Sequence, residues 1–261
     1  MNEKNKKIWI TGASSGIGKE LALKFAQEGW NVAVSARRKN LLDNLSEANS
    51  SIKSFPLDIT QKEDVKETFK KIINEFKDLD VCVFNSGIYA RSAENIDIEN
   101  IRKIMETNFF GTINCLESVL EFFKLRKKGH ISIVASTAGY RGLSSVSGYG
   151  ASKAALINLA ESLYLMMHKY GVRVSLINPG FVKTPLTEKN NFEMPFLVMP
   201  DKAAEKIYDG IIKKKSFEIV FPTIYNTILK LMRILPYRIY FLLMLKKVLY
   251  KLLYRNKKKA E

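Results

Sequence analysis

Thr11-Gly12-Ala13-Ser14-Ser15-Gly16-Ile17-Gly18 is the stretch on which the fold turns. An apolar run, Ile8-Trp9-Ile10, leads into it, and beyond it apolar residues recur at Ile17, Leu21 and Phe25 and at Ala22 and Ala26, the spacing of a helix face. The glycines therefore sit at a strand-to-helix turn. There Gly12 permits a tight turn, Gly16 lets backbone N–H groups approach a pyrophosphate, and Gly18 lets the helix pack closely on the strand. The helix N-terminus adds partial positive charge. A plain glycine-rich turn is the alternative, and the flanking strand and helix favour a dinucleotide site that includes Ser14, Ser15 and Ile17.

Outward from this turn the pattern alternates. Strands are predicted at 31–35, 52–57, 81–84, 131–135, 172–177 and 217–220. Helices are predicted at 41–48, 65–76, 98–124, 149–170 and 202–214. Short apolar strands alternating with longer periodic helices imply a parallel sheet covered on both faces, a doubly wound (Rossmann-type) α/β fold in a single domain, residues 1–222. In such folds ligands bind beyond the carboxyl ends of the strands, where the unusual residues of this chain gather: Arg37 and Arg38, Asp58, Asn85-Ser86-Gly87, Ser136 and Asn178-Pro179-Gly180. Each has a plainer use, Asp58 as a cap and the glycines as loop formers, but together they converge on one crevice.

Tyr149 and Lys153 stand four residues apart, one helical turn, and Ser136 lies thirteen residues before Tyr149. A phenol with an ordinary pKa of about 10 carries protons poorly at neutral pH, and a cation fixed beside it is expected to favour the phenolate. Tyr149 is thus a candidate general acid/base.

With TGASSGIG, NSG, METNFFG around Asn108, Ser136, YGASK and NPG in that order, residues 6 to about 222 resemble the short-chain dehydrogenase/reductase family. Two departures are noted: Ser86 stands where the family has alanine, and Ala135 replaces the first of two serines. The resemblance implies that Tyr149 is the catalytic acid/base, that Lys153 binds the nicotinamide ribose and lowers the tyrosine pKa, that Ser136 hydrogen-bonds the substrate oxygen, and that Asn108 holds a proton-relaying water. It also implies that Gly12, Ser14, Ser15, Gly16, Ile17, Gly18, Arg37, Arg38, Asp58, Asn85, Gly87, Tyr149, Lys153, Pro179, Gly180, Val182 and Thr184 bind the cofactor. A homodimer or homotetramer, joined through helices 108–120 and the one beginning at Tyr149, is the implied assembly. An acid at the end of the second strand would repel a 2′-phosphate, whereas Arg37-Arg38 can pair with one, so NADP(H) is expected over NAD(H).

The chain has 261 residues, 46% of them hydrophobic, enough for one large α/β domain. Cys82 and Cys115 read as buried free thiols, no metal-ligand cluster is apparent, and the lysine-rich N-terminus gives no signal peptide, so a cytoplasmic location is expected. The net charge is +16, yet residues 223–261 hold ten Lys/Arg against one acid, or +9 of it, leaving +7 on the core. Nucleic-acid binding is not expected from that core. The tail reads as a basic amphipathic helical extension: Ile224, Ile228, Leu231 and Leu235 on one stripe with Asn226, Lys230 and Arg233 away from it, then Val248, Leu249, Leu252 and Leu253 opposite Lys247, Lys251 and Arg255. Its longest uncharged run, 239–245, is too short to span a bilayer. Two uses fit, lying on the anionic cytoplasmic face of a membrane or packing on its own domain or a dimer partner, and the first is expected.

The segment 181–200, a lid over the substrate by the resemblance, carries Phe181, Leu186, Phe192, Met194, Phe196, Leu197 and Met199. A hydrophobic ketone of 3-ketosphinganine or steroid type is the expected substrate. Two other classes stand beside a reductase. A sugar-nucleotide epimerase or dehydratase can share the Tyr-x-x-x-Lys pair, but the glycine spacing and the lack of a large C-terminal substrate domain oppose it. A non-catalytic NADP(H)-binding sensor is opposed by the intact Asn108, Ser136, Tyr149 and Lys153.

Overall fold

The computed structural model describes residues 6–90, 96–144, 146–188 and 194–246. Among them β1 (Lys7–Thr11), β2 (Asn31–Ser35), β3 (Ile52–Ser54), β4 (Val81–Phe84), β5 (Gly129–Val134), β6 (Val172–Pro179) and β7 (Glu218–Phe221) form one sheet. Its order is β3-β2-β1-β4-β5-β6-β7, and every neighbouring pair is parallel. The helices are α1 (Gly16–Gln27), α2 (Lys39–Ala48), α3 (Lys62–Phe76), α4 (Ile98–Met105), α5 (Gly111–Arg126), α6 (Ser147–His168), α7 (Pro200–Tyr208), α8 (Thr223–Ile234) and α9 (Tyr237–Leu245). None is long and apolar enough to cross a membrane.

Both sheet faces are covered, which is why the strands read as unbroken apolar runs. Alternation along β1 assigns the two cores: Trp9 packs with Phe69 of α3 and Leu116 of α5, while Ile8 and Ile10 pack with Leu21 and Phe25 of α1 and Ile207 of α7. Fully buried side chains of this size each contribute on the order of 1.5–3 kcal/mol. From β1 the chain winds outward through β2 and β3, then returns to lay β4 on the opposite edge of β1. The crevice opens at that reversal.

Three expected elements differ in detail. The third strand ends at Ser54 rather than at residue 57, although Phe55 and Leu57 still donate to Val34 and Ala36; Pro56 falls between them, facing the open edge of the sheet, where a missing N–H costs no ladder bond. The helices expected over 98–124 are α4 and α5, joined by a wider π-type turn, Glu106–Phe110, with Asn108 fully buried inside it. A second such turn, Asp209–Lys214, ends the helix that Pro200 starts.

The tail requires a correction. Helix α8 turns Tyr225, Asn226, Leu229 and Met232 inward, whereas Ile224 and Leu231 of the expected stripe are 66% and 57% exposed. The inner stripe lies one residue, about 100°, around the helix from the expected one. Tyr225, Leu229, Met232 and Tyr240 of α9 join the core on the α3, α5 and α6 side of the sheet. The stripe expected at Val248 to Leu253 lies outside the described residues.

Candidate active site

Thr11, the last residue of β1, ties the reversal point together: its hydroxyl accepts from the backbone N–H groups of Asn85 (3.1 Å) and Ser86 (3.3 Å) after β4. Asn85 replies through its side-chain amide, which donates to the Thr11 and Gly12 carbonyls at 3.2 Å each. Gly12 has φ +68°, and a Cβ there would lie 2.8 Å from Ser86 Cα, so no larger residue fits. Gly16, φ +56°, opens α1 opposite Thr184, whose methyl would stand 2.9 Å from a Gly16 Cβ. Ser15 at the start of α1 makes no side-chain cap, so no side chain competes for the first-turn N–H groups that can face an anion.

At the end of β2 the Arg38 guanidinium reaches back over this turn. Its Nη2 donates to the hydroxyls of Ser14 (2.8 Å) and Ser15 (2.7 Å), and Nε to Ser14 (3.1 Å). Arg37 stands 4.0 Å from Asp58. Asp58 serves both of its readings, since it lines the cleft and also accepts from the Thr60 N–H and hydroxyl, shaping the turn after β3.

At the other end of the cleft Ser136 caps a short 3₁₀ turn, Thr137–Gly139, by accepting from the Ala138 N–H. Tyr149 lies in the first turn of α6 and packs edge-on against Tyr89, ring centroids 5.2 Å apart. Burial pushes its phenol up to about 12, with hydrogen bonding from Ser136 opposing and Tyr89 adding to the rise. Lys153 is 3% exposed; its ammonium donates to the Val134 carbonyl (2.9 Å), and burial brings it down to about 8. The expected lowering of the phenol by Lys153 is therefore not what the geometry gives. The ammonium is 5.7 Å from the ring centroid, is itself poorly solvated, and is engaged on β5.

These residues line a single cleft of ≈ 300 Å³, shared by Gly12, Ser14, Ser15, Gly16, Ile17, Arg37, Arg38, Asp58, Asn85, Gly87, Ser136, Tyr149, Lys153, Pro179, Gly180, Val182 and Thr184. Two expected site residues stand behind it. Gly18 packs α1 on β1, a Cβ there meeting the Gly12 carbonyl oxygen at 2.4 Å. The Asn108 amide is taken up by Ile88, accepting from its N–H (2.7 Å) and donating to its carbonyl (3.0 Å), and by the Ser152 hydroxyl (3.0 Å). It braces the turn after β4. Asn178 likewise turns aside and donates to Glu218.

Ala36, Leu57, Ile59, Ile88, Thr107, Val134, Pro185 and Thr187 also line the cleft and were not singled out from sequence. Most are apolar residues at or just past strand ends, a position that could have flagged them, though core packing demands the same residue types. Of the lid residues Leu186 lines the cleft, whereas Phe181 and Phe196 lean on Tyr225 of α8 at 5.8 and 6.5 Å between centroids. Phe192 lies outside the described residues.

Set against known proteins, residues 6–194 match the family model described as short chain dehydrogenase. An uncharacterised oxidoreductase of Myxococcus xanthus (strain DK1622) is 37% identical over 232 residues, covering 87% of this chain and 91% of its own. An NADPH-dependent 1-acyldihydroxyacetone phosphate reductase of Schizosaccharomyces pombe is 33% identical over 214 residues, 80% of this chain and 71% of its own. Among solved structures, a short chain dehydrogenase from Burkholderia cenocepacia J2315 in complex with NADP superposes with TM-score 0.77 at 24% identity, covering 87% and 92% of the two chains, a likeness of fold.

Proposed function

The chain belongs to the short-chain dehydrogenase family and is an NAD(P)-dependent oxidoreductase, and from that premise we propose that it reduces a hydrophobic, lipid-like ketone with NADPH. The observation that carries the cofactor choice is Arg38, held by the Ser14 and Ser15 hydroxyls at the rim of the cleft. A guanidinium already oriented in this way loses little freedom in pairing with a 2′-phosphate. The fission yeast relative is NADPH-dependent by its name.

When bound in the cleft, the reduced cofactor would supply the hydride that a carbonyl carbon takes up. The residues of the chain manage the oxygen. As negative charge gathers there, the hydroxyls of Ser136 and Tyr149 donate hydrogen bonds to it, and Tyr149 gives up its proton. A phenol pushed up by burial is protonated in the neutral range, as the proton donor to a carbonyl oxygen must be. Lys153 would hold the ribose, Gly12 to Ile17 the diphosphate at the helix N-terminus, and Asn108 keeps the Ile88 turn in register.

Substrate character is supported by Ile88, Pro185 and Leu186 along the cleft and by the acyl chain in the substrate that the yeast relative is named for. Membrane association is supported by the outward apolar residues Ile224, Leu231, Ile234, Tyr237, Phe241 and Leu245, interspersed with Lys230, Arg233 and Arg238. Assembly through α5 and α6 is supported by exposed Phe110 just before α5, Leu125 on α5, and Leu165 and Met166 on α6. Steady-state rates with 3-ketoacyl, sphingoid, steroidal and small polar ketones, each with NADPH and NADH, test the reading. Wild type is expected to favour NADPH and an apolar ketone, and Arg38→Leu to lose about tenfold or more in kcat/KM for NADPH with NADH unchanged. Preference for NADH, or for a polar carbonyl, would overturn it.

A further inference from the structure

Helix α8 touches both walls of the cleft. On one wall, Tyr225 packs against Phe181 and Phe196 of the lid, and a Cβ at cleft-lining Gly180 would meet its ring at 3.3 Å. On the other, the five residues after Ser136 run straight into the tail. The Tyr140 hydroxyl donates to Glu218 (2.7 Å), which also takes hydrogen bonds from Asn178 at the end of β6 and Lys230 of α8. Arg141 Nη1 donates to the terminal carbonyls of α8, Met232 (2.9 Å) and Arg233 (2.6 Å), and to Leu235 (3.0 Å). Its guanidinium lies over the rings of Tyr237 and Tyr240, 4.9 and 4.2 Å from their centroids, and the Tyr240 hydroxyl donates to the Gly142 carbonyl.

We infer that α8 and α9 are a working part of the substrate site, clasping the Ser136 segment to the lid, and that Arg141 is a positioning residue for Ser136. The physical case is one of constraint. Ser136 projects from a 3₁₀ turn held by the Ala138 N–H on its hydroxyl, the Gly139 N–H on its carbonyl (3.0 Å) and the close packing of Gly139 on α6, and the chain that leaves this turn at Tyr140 is anchored by the tail. A cation at a helix C-terminus satisfies carbonyls that the helix leaves open and meets the negative end of its dipole. Here that cation is on the loop, so the bond that caps the helix also fixes the loop. The residues Gly12 to Ile17 and Arg38 make none of these contacts, whereas Gly180, which also lines the cofactor's part of the cleft, meets Tyr225; the clasp therefore bears on the carbonyl substrate through the Ser136 segment and on the cofactor only through the lid. The inference rests on the reductase reading for the role of Ser136.

Two measurements on the full chain separate it from that reading. In hydrogen–deuterium exchange with NADPH present, Arg141→Ala is expected to speed exchange about tenfold or more both in 136–143 and in 180–188, with 12–18 unchanged. In kinetics with any ketone that wild type reduces, the same variant should lose about tenfold in kcat, more than any change in KM for NADPH, Arg141→Lys should recover part of the loss, and Tyr225→Ala should raise KM for the ketone instead. Unchanged exchange in 136–143, or a kcat that matches wild type in folded Arg141→Ala, overturns the clasp. A wild type that reduces no ketone sinks the reductase reading, and the exchange result then decides the clasp alone.

Discussion

Replacing Lys153 by Met should change how stability depends on pH, in the direction that burial of the ammonium sets. The ammonium is 3% exposed and burial lowers it from 10.5 to about 8. Because the unfolded chain titrates this lysine near 10.5, it binds more protons than the folded chain between about 8 and 10.5. Stability from this group therefore rises with pH across that window, and below about 8 the folded state carries the full penalty of a buried cation. At about 1.4 kcal/mol per pH unit the penalty comes to about 3 kcal/mol. Chemical denaturation of wild type and Lys153→Met without added cofactor, at a series of pH values from 7 to 10.5, isolates the term, since every other titrating group is common to both. The stability advantage of the variant over wild type should shrink by about 3 kcal/mol from the low end of the range to the high end. The Val134 carbonyl loses its partner in the variant at every pH, which offsets the curves but not their difference in slope. Parallel curves would refute the reasoning, showing that the ammonium is hydrated or paired in a way its burial does not suggest.

Tyr149→Phe should lower kcat by roughly 10²–10⁴-fold while NADPH affinity, measured by fluorescence titration, stays within a few fold; undiminished turnover contradicts the proposed acid. Gly18→Ala brings a methyl group to 2.4 Å from the Gly12 carbonyl oxygen and 2.6 Å from Asn85 Nδ2. Neither can yield without moving the turn, so melting should show a loss of about 1–3 kcal/mol and the same titration a weaker cofactor. Normal affinity in that variant would mean the close approach is not needed. In sedimentation with phosphatidylserine vesicles the full chain should pellet and be released by salt, each well-placed cation adding about 1 kcal/mol. Protein left in the supernatant at low salt removes the membrane reading.

The sheet and most of the cleft were legible because their signals are local. Parallel strands buried on both faces must be short apolar runs, and a turn that crowds β1, α1 and the loop after β4 admits only glycine at Gly12. What was not legible depends on partners far along the chain. The wider turn at Glu106–Phe110 goes with an Asn108 amide engaged by Ile88 and Ser152, 20 and 44 residues away. The Tyr-x-x-x-Lys spacing correctly gave one helix face, but spacing carries no dielectric: burial of both groups, not their proximity, decides that the phenol rises and the ammonium falls.

Helix α8 shows the same limit in another form. Two apolar stripes run side by side on it, Tyr225-Leu229-Met232 and Ile224-Ile228-Leu231, and both satisfy helical periodicity, so the pattern alone had no means of choosing the inner one. The inner face is the one that enters the core through Tyr225, Leu229 and Met232 and meets the Tyr140 hydroxyl at Asn226 (3.5 Å), while Arg141 holds the helix by the carbonyls of its last turn. With the inner stripe spent on the lid and the core and Ile228 partly buried beside it, Ile224 and Leu231 stay exposed, and the exposed apolar residues continue through Ile234 into Tyr237, Phe241 and Leu245. A bilayer that took these exposed residues would therefore meet the protein at the helix that touches both cleft walls. In that arrangement the helix that met the lipid on its outer face would hold the lid through Tyr225 on its inner one, and the proposed hydrophobic substrate and the proposed membrane contact become one proposal rather than two.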